Sequence, residues 1–306
     1  MKEAVAPVNK RNVIKPAASD RVFAAIVGVI LVLLTMIVLY PLLYVLSASF
    51  SSANAVSTGK VVLWPVDFSL EGYQRVFDYS RVWIGYRNTL AYTLVGTAVN
   101  IAMTMMCAYP LARRGLPHKG FFTFIFTFTM IFGGGLIPSY LLNKDLGLVN
   151  TFWVMIIPGA MAVYQMILAR TFIANTIPED LIESAKLDGC SDIRFFWQFV
   201  LPLSQAVIAV IALQYAVGHW NSYFNAMIYL QNNKLYPLQI FLREILIMSQ
   251  MDSSDFMDDE TAVAIQGMAE LIKYALIVVS TAPILCLYPF LQKYFVKGVM
   301  IGSLKG

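Results

Sequence analysis

Charge is scarce in this chain. Only 13% of its 306 residues are Asp, Glu, Lys or Arg, while 58% are hydrophobic and the mean hydropathy is +0.67. Soluble domains carry about a quarter charged residues, so a sequence of this composition belongs in a bilayer. Cysteine is scarcer still: Cys107, Cys190 and Cys286 fall in two apolar runs and one loop, without redox or ligand spacing, which predicts free thiols. Only two histidines occur, His118 and His219, and neither has a partner at metal-ligand or catalytic-triad spacing. That leaves a membrane-embedded hydrolase without a nucleophile-base pair, and His219 reads as a packing group. No Gly-x-x-x-x-Gly-Lys-Ser/Thr phosphate loop occurs either, so this chain alone has no usual route to ATP hydrolysis.

What is present is apolar sequence in long runs. A spanning helix needs roughly 20 mostly apolar residues, and six windows qualify: Val22 to Phe50, Asn88 to Ala112, Gly120 to Leu142, Leu148 to Ala169, Phe199 to Phe224 and Tyr274 to Leu291. The first is too long for a cleaved signal core and has no small-residue cleavage site after it. None of the six contains Asp, Glu, Lys or Arg. Proton- and ion-coupled carriers usually keep such groups inside the membrane despite their cost, so a secondary carrier is disfavoured.

Six crossings put both ends of the chain on one side. Lys and Arg number fourteen in segments 1–21, 113–119, 170–198 and 292–306, against seven in 51–87, 143–147 and 226–267. The excess predicts that the first set is cytoplasmic. The net charge of +4 follows from this asymmetry and implies no nucleic acid. The expected organisation is a cytoplasmic arm over 1–21, a six-helix membrane domain over 22–292 and a cytoplasmic tail over 293–306.

One polar stretch interrupts the apolar pattern. Thr176 and Glu179 have capping-box spacing, Pro178 falls in the first turn, and Gly189 suits a left-handed helix end, which predicts a short helix between them. Ser191 can cap a second helix with Asp192 at its positive end, and Pro202 marks the turn into the next span. Spacing alone leaves two readings open for this hairpin, residues 176–198: a mere connector, or a docking element.

Other segments carry weaker signals. Pro7 and Pro16 make the first segment a loose arm, and Pro41 predicts a kink in the first span. Trp64, Tyr73, Trp83 and Tyr86 read as interfacial anchors or as contacts for an external partner. Gly133, Gly134 and Gly135 break the third window near its outer end. In the external loop, 226–267, Pro237 can start a helix to about Met248, with Leu238, Phe241, Leu242, Ile245 and Leu246 on one face and Gln239, Arg243 and Glu244 leaning away. The acidic run from Asp252 to Glu260 reads as a solvated loop; it does not match an EF-hand.

The hairpin is more specific than its parts. Glu183-Ser184-Ala185, three residues, Gly189, nine residues, Phe199, one residue and Leu201-Pro202 resembles the Glu-Ala-Ala loop of permease subunits of ATP-binding-cassette importers. Ser184, Cys190 and Phe199 are mild departures from that pattern. The run from Gly134 to Leu142, with Leu146-Gly147-Leu148, resembles the complex-oligosaccharide branch of maltose-type carbohydrate permeases. Gly218-His219-Trp220-Asn221-Ser222-Tyr223-Phe224 is similar to their Trp-Asn-x-Phe signature, with Tyr223 at the aromatic position and no nearby proline at the usual place.

The resemblance implies an all-α polytopic membrane protein with six transmembrane helices and a cytoplasmic coupling helix, forming half of a heterodimeric pore in a bacterial cell membrane. Its implied partners are a second homologous permease subunit, two ATPase subunits, an extracellular substrate-binding protein, a carbohydrate and membrane lipid. ATP and Mg would sit on the partner subunits, with no cofactor or metal on this chain. ATPase coupling would fall to Glu183, Ser184, Ala185, Leu187, Asp188, Gly189, Leu201 and Pro202. Leu181 and Ile182 join Ala185 and Leu187 as candidate apolar seating residues, and which of them face the ATPase is open. The tail residues Gly302, Ser303, Leu304, Lys305 and Gly306 would reach toward the ATPase, and Trp220, Asn221 and Tyr223 offer an aromatic face, an amide and a phenol to a sugar path. The alternative is a self-contained channel or carrier with a merely structural hairpin.

Overall fold

The computed structural model describes residues 17–248 and 267–286, and it is helical with no strand among the described residues. The acidic run 252–260 and the tail 302–306 lie outside the described residues. In chain order the helices are α1 (Ala18–Ser49), α2 (Ala53–Ser57), α3 (Glu71–Asp78), α4 (Ser80–Ala112), α5 (Lys119–Ile131) and α6 (Leu136–Asp145). After two 3-10 turns over Phe152–Gly159 come α7 (Val163–Thr176), α8 (Glu179–Leu187) and α9 (Asp192–Phe195). A π-helical segment, Phe196–Val200, leads into α10 (Leu201–Leu203), followed by α11 (Gln205–Trp220), α12 (Phe224–Tyr229), α13 (Leu238–Met248) and α14 (Gly267–Cys286).

Among the described residues three helices, α1, α4 and α14, are long and apolar enough to cross a membrane unbroken, and three bent pairs bring the number to six if each is one span. The third window breaks between Ile131 and Leu136 with a bend of 113°, where the glycine run predicts it. Two expectations shift. The fourth window is two 3-10 turns bent by 52° from α7, which continues past Ala169 to Thr176. The fifth is also divided: Asp192–Leu203 lies at 80° to α11, which begins at Gln205. Apolar composition alone does not distinguish a helix that crosses from one that lies along the membrane edge. The ends move as well. α1 starts at Ala18, inside the expected arm, with the Asp20 carboxylate accepting the Ala17 N–H at 3.1 Å, and the described part of α14 already includes Gly267, seven residues ahead of Tyr274.

The helix at the centre is α4, against which α7, α11 and α13 all pack. Its buried positions include Asn88, Thr89, Asn100 and Thr104. Buried polar groups in a bilayer must find partners inside the protein, and these four find them at breaks in other elements. Asn88 Nδ2 donates to the carbonyls of Lys234 (2.7 Å) and Tyr236 (3.0 Å), and Thr89 Oγ1 accepts the Leu238 N–H (2.9 Å), which fixes the start of α13. Asn100 Nδ2 donates to the Gly159 carbonyl (2.5 Å) where the fourth span is broken. Thr104 pairs with the Tyr215 hydroxyl (2.8 Å), which also accepts the Ala162 N–H (3.0 Å) at that break. The recurrence of Asn and Thr at 89, 93, 97, 100 and 104 is a helical stripe visible in the sequence, and it marks the seam of the bundle.

Of the four aromatic anchor candidates, two are spent inside the fold. Tyr73 OH lies 2.8 Å from Ser49 Oγ, and Tyr86 OH donates to the Val279 carbonyl. Trp64 and Trp83 remain exposed, at 81% and 57%. α13 begins directly after Pro237, as its spacing predicts, with Leu238 and Phe241 buried against α4.

Candidate functional site

The hairpin is α8, a turn and the α9–α10 limb. Gly189 has φ of +75°, a conformation side chains resist. Around it the Gly189 N–H bonds the Lys186 carbonyl (3.0 Å) and the Cys190 N–H bonds the Ala185 carbonyl (2.9 Å), a Schellman closure that satisfies the end of α8. Ser191 caps α9 by accepting the Arg194 N–H at 3.3 Å. The expected capping box is a correction. Thr176 is the last residue of α7, its hydroxyl is buried without a partner among the described residues, and Pro178 occupies the N-cap of α8. The reason is packing: Ile173 and Ile177 are both buried, so α7 extends its apolar contact up to the turn and leaves no free cap residue.

α8 has two unlike faces. Ile182 and Ala185 are buried in a core with Ile173, Phe195 and Tyr109, and Leu181 packs beside them. Glu183, Ser184, Asp188 and Gly189 are exposed, and Leu187 is 90% exposed. Thus Ala185 and Ile182 seat the hairpin on its own chain, and Leu187 is its free apolar residue. Leu201 is half-buried and Pro202 exposed on the second limb, where Ile193 (75%) and Trp197 (64%) also stand clear. Tyr109 joins this limb to α4, its ring 6.4 Å from Phe195 and 5.6 Å from Phe196. Arg113 completes the joint, donating to Tyr109 OH (2.7 Å) and pairing with Asp192 (3.1 Å). Sequence reading missed Tyr109 and Arg113, because their partners lie about eighty residues away.

The second predicted group is divided by the fold. Trp220 is 3% exposed, its indole N–H donates to the Ser280 carbonyl (2.9 Å), and its ring meets Tyr86 edge-on at 6.3 Å. In this conformation it locks α11 to α14 and α4 and presents no open face. Asn221 and Tyr223 are exposed beyond the end of α11. The Arg243 guanidinium lies 5.2 Å from the Tyr223 ring centre and has no carboxylate partner among the described residues. His219 is a packing group, as expected: Nε2 lies 2.6 Å from Asn100 Oδ1. Cys107, Cys190 and Cys286 are free.

Residues 81–301 match the family described as binding-protein-dependent transport system inner membrane component. The chain belongs to this family. Among curated relatives of this permease, the polygalacturonan/rhamnogalacturonan transport system permease protein YtcP of Bacillus subtilis (strain 168) is 38% identical over 287 residues, covering 94% of this chain and 99% of the relative. Protein LplC of the same organism is 40% identical over 270 residues, covering 88% and 90%. The permease also superposes on a chain from the crystal structure of a bacterial ABC transporter involved in the import of the acidic polysaccharide alginate, with a TM-score of 0.82 and 33% identity over 92% of this chain and 99% of that one. Family membership is consistent with a transport subunit that carries no phosphate loop in its sequence.

Proposed function

We propose that this permease forms half of the translocation pore of an ATP-driven importer for a carbohydrate oligomer, and that the stretch Glu183–Gly189 is where separate ATPase subunits deliver their motion. The observation that carries the reading is the asymmetry of α8: one face sealed in the core, the other presenting Glu183 and a 90% exposed Leu187. A bare leucine on a polar hairpin calls for a partner surface. A force applied there passes through Tyr109, Phe195 and the Arg113–Asp192 pair to α4, the helix on which the others pack. Alternating access then requires two states whose populations ATP and a loaded binding protein bias in opposite steps.

The reading includes a second homologous permease, two ATPases and an external binding protein as partners, with the hairpin and both termini in the cytoplasm. In this picture the tail residues Gly302–Gly306 reach toward the ATPase. YtcP is named for polygalacturonan and rhamnogalacturonan, and the superposed transporter for alginate. An acidic oligosaccharide is therefore the first substrate class to test, and Arg243, which lies against the Tyr223 ring and has no carboxylate partner among the described residues, suits a carboxylate.

Affinity purification from the native membrane tests the assembly: ATPase subunits and a second permease should copurify, and their absence would sink the reading. Glu183→Lys should retain inserted spans while losing substrate-stimulated ATP hydrolysis; full stimulation would remove Glu183 from the contact. For the path, Asn221→Ala should alter oligosaccharide uptake with assembly intact. Unchanged uptake across acidic and neutral oligomers would exclude that residue.

A further inference from the structure

A cleft of about 370 Å³ opens between the end of α4, the start of α5, the end of α7 and the root of the hairpin. One wall is apolar, with Ile173, Ile177 and Ile182, and the rim carries Arg113, Arg114 and Lys119 against a single lining carboxylate, Glu179. Internal bonds use only part of that positive charge. Arg113 engages Tyr109 and Asp192 through Nη1, but its Nε is buried with no hydrogen-bond partner among the described residues. Lys119 Nζ donates to the Arg113 carbonyl at 3.0 Å, which leaves further ammonium donors free. Arg114 is exposed and forms no ion pair among the described residues.

The negative end of the α4 dipole explains some of this clustering but not all of it. It accounts for Arg170, whose Nε donates to the Leu111 carbonyl at 3.2 Å, and for the Lys119 bond just described. It does not account for Arg114, which a bound anion would pair. The surroundings indicate which anion: directly after Lys119, α5 exposes Phe121 (62%), Phe122 (44%) and Phe124 (65%), a surface suited to lipid. The cationic rim therefore stands at the headgroup level, where basic pockets between spanning helices hold acidic lipids.

We propose that this cleft binds the phosphate of an anionic phospholipid, held by Arg114 and Lys119, with its glycerol region against Ile173 and Ile177. Phosphatidylglycerol fits the whole lining, because its headgroup hydroxyls can donate to the one carboxylate, Glu179, that would repel a bare phosphate. The occupant touches Ile177, Pro178, Glu179 and Ile182, the root of the hairpin, and so braces the element that receives the ATPase.

The test uses the transporter purified with its copurifying subunits, placed in phosphatidylcholine nanodiscs with graded phosphatidylglycerol, and reads the melting temperature together with lipid retained in native mass spectrometry. Wild type should show a saturable rise and a retained phosphatidylglycerol. The R114Q/K119Q variant should bind about tenfold more weakly or worse, since two basic residues are lost at a lipid surface. R114K/K119R should recover binding, and R194Q, which lies outside the cleft, should leave it unchanged. Copurification of the partner subunits shows that each variant is folded. Equal retention by wild type and R114Q/K119Q would overturn the site. Inorganic phosphate should have no effect in pure phosphatidylcholine; if it reproduced the wild-type rise, the ligand would be a free anion and the lipid assignment would fall. Lipid retained by the permeases but expelled when the ATPases bind would mark the cleft as part of the ATPase interface, and that too would overturn the proposal.

Discussion

At Gly189 the backbone stands at φ +75°, so any other residue must enter the left-handed region at a cost of about 1–2 kcal/mol. Gly189→Val should leave the spans inserted and reduce ATPase copurification or substrate-stimulated hydrolysis; intact coupling would show that the turn geometry is dispensable. The neighbouring departure from the family pattern has the opposite character. Ser184 Oγ donates to the Asp180 carbonyl at 2.8 Å within its own helix, a bond an exposed helix does not need. Ser184→Ala should change stability by less than about 0.5 kcal/mol and leave stimulated ATP hydrolysis unaltered. Gly96 is constrained by space: a Cβ there would lie 2.4 Å from His219 Nε2. Gly96→Val should displace the His219–Asn100 contact and cost about 1–3 kcal/mol or more through overpacking, read as a lower melting temperature in detergent.

The hairpin helix α8 makes a prediction that belongs to the element, because its two faces answer to different partners. Ile182 is 5% exposed and Leu187 is 90% exposed, five residues apart on one short helix. Ile182→Ala should destabilise the permease itself by about 2–4 kcal/mol through a core cavity. Leu187→Ala should leave the isolated chain's melting temperature unchanged and weaken its association with the ATPase subunits. Equal effects of the two on stability alone would mean that α8 has no partner. The broken fourth span follows the same logic from the other side of the bundle. Its gap is closed by Asn100 on the Gly159 carbonyl and by Tyr215 on the Ala162 N–H, so these two polar groups of the irregular backbone are satisfied by protein. The π-helical segment Phe196–Val200 stands just ahead of the 80° bend into α11, a position where such segments absorb a change of direction.

Across the whole molecule, α1 and α5 are the outliers: no residue in the spanning window of α1, and none in α5, is buried within this chain. Lipid or another subunit must cover them, while α7, α11 and α13 pack around α4. Orientation is a property of the same scale. The Lys/Arg excess predicts that a cysteine placed at Glu183 resists a membrane-impermeant thiol reagent applied to intact cells and reacts after permeabilisation; labelling in intact cells would invert the topology. Much of this was legible in the residues. Windows of about 20 apolar residues, a glycine that ends a helix and a proline that begins one are local properties, and each produced a feature the structure contains. The sequence by itself determined the long apolar helices, the place of the hairpin and the break at the glycine run, because bilayer thickness and backbone sterics act on short stretches. Only the tertiary structure decided that Thr176 ends α7, that Trp220 is sealed, that Ala185 faces inward and that Arg113 reaches Asp192. In a bilayer the lipid-facing and core-facing sides of a helix are equally apolar, so hydrophobic periodicity does not mark the buried face, although the polar Asn and Thr stripe does on α4. The choice falls to partners far along the chain, as Tyr86 with Val279 and Asn88 with Tyr236 show.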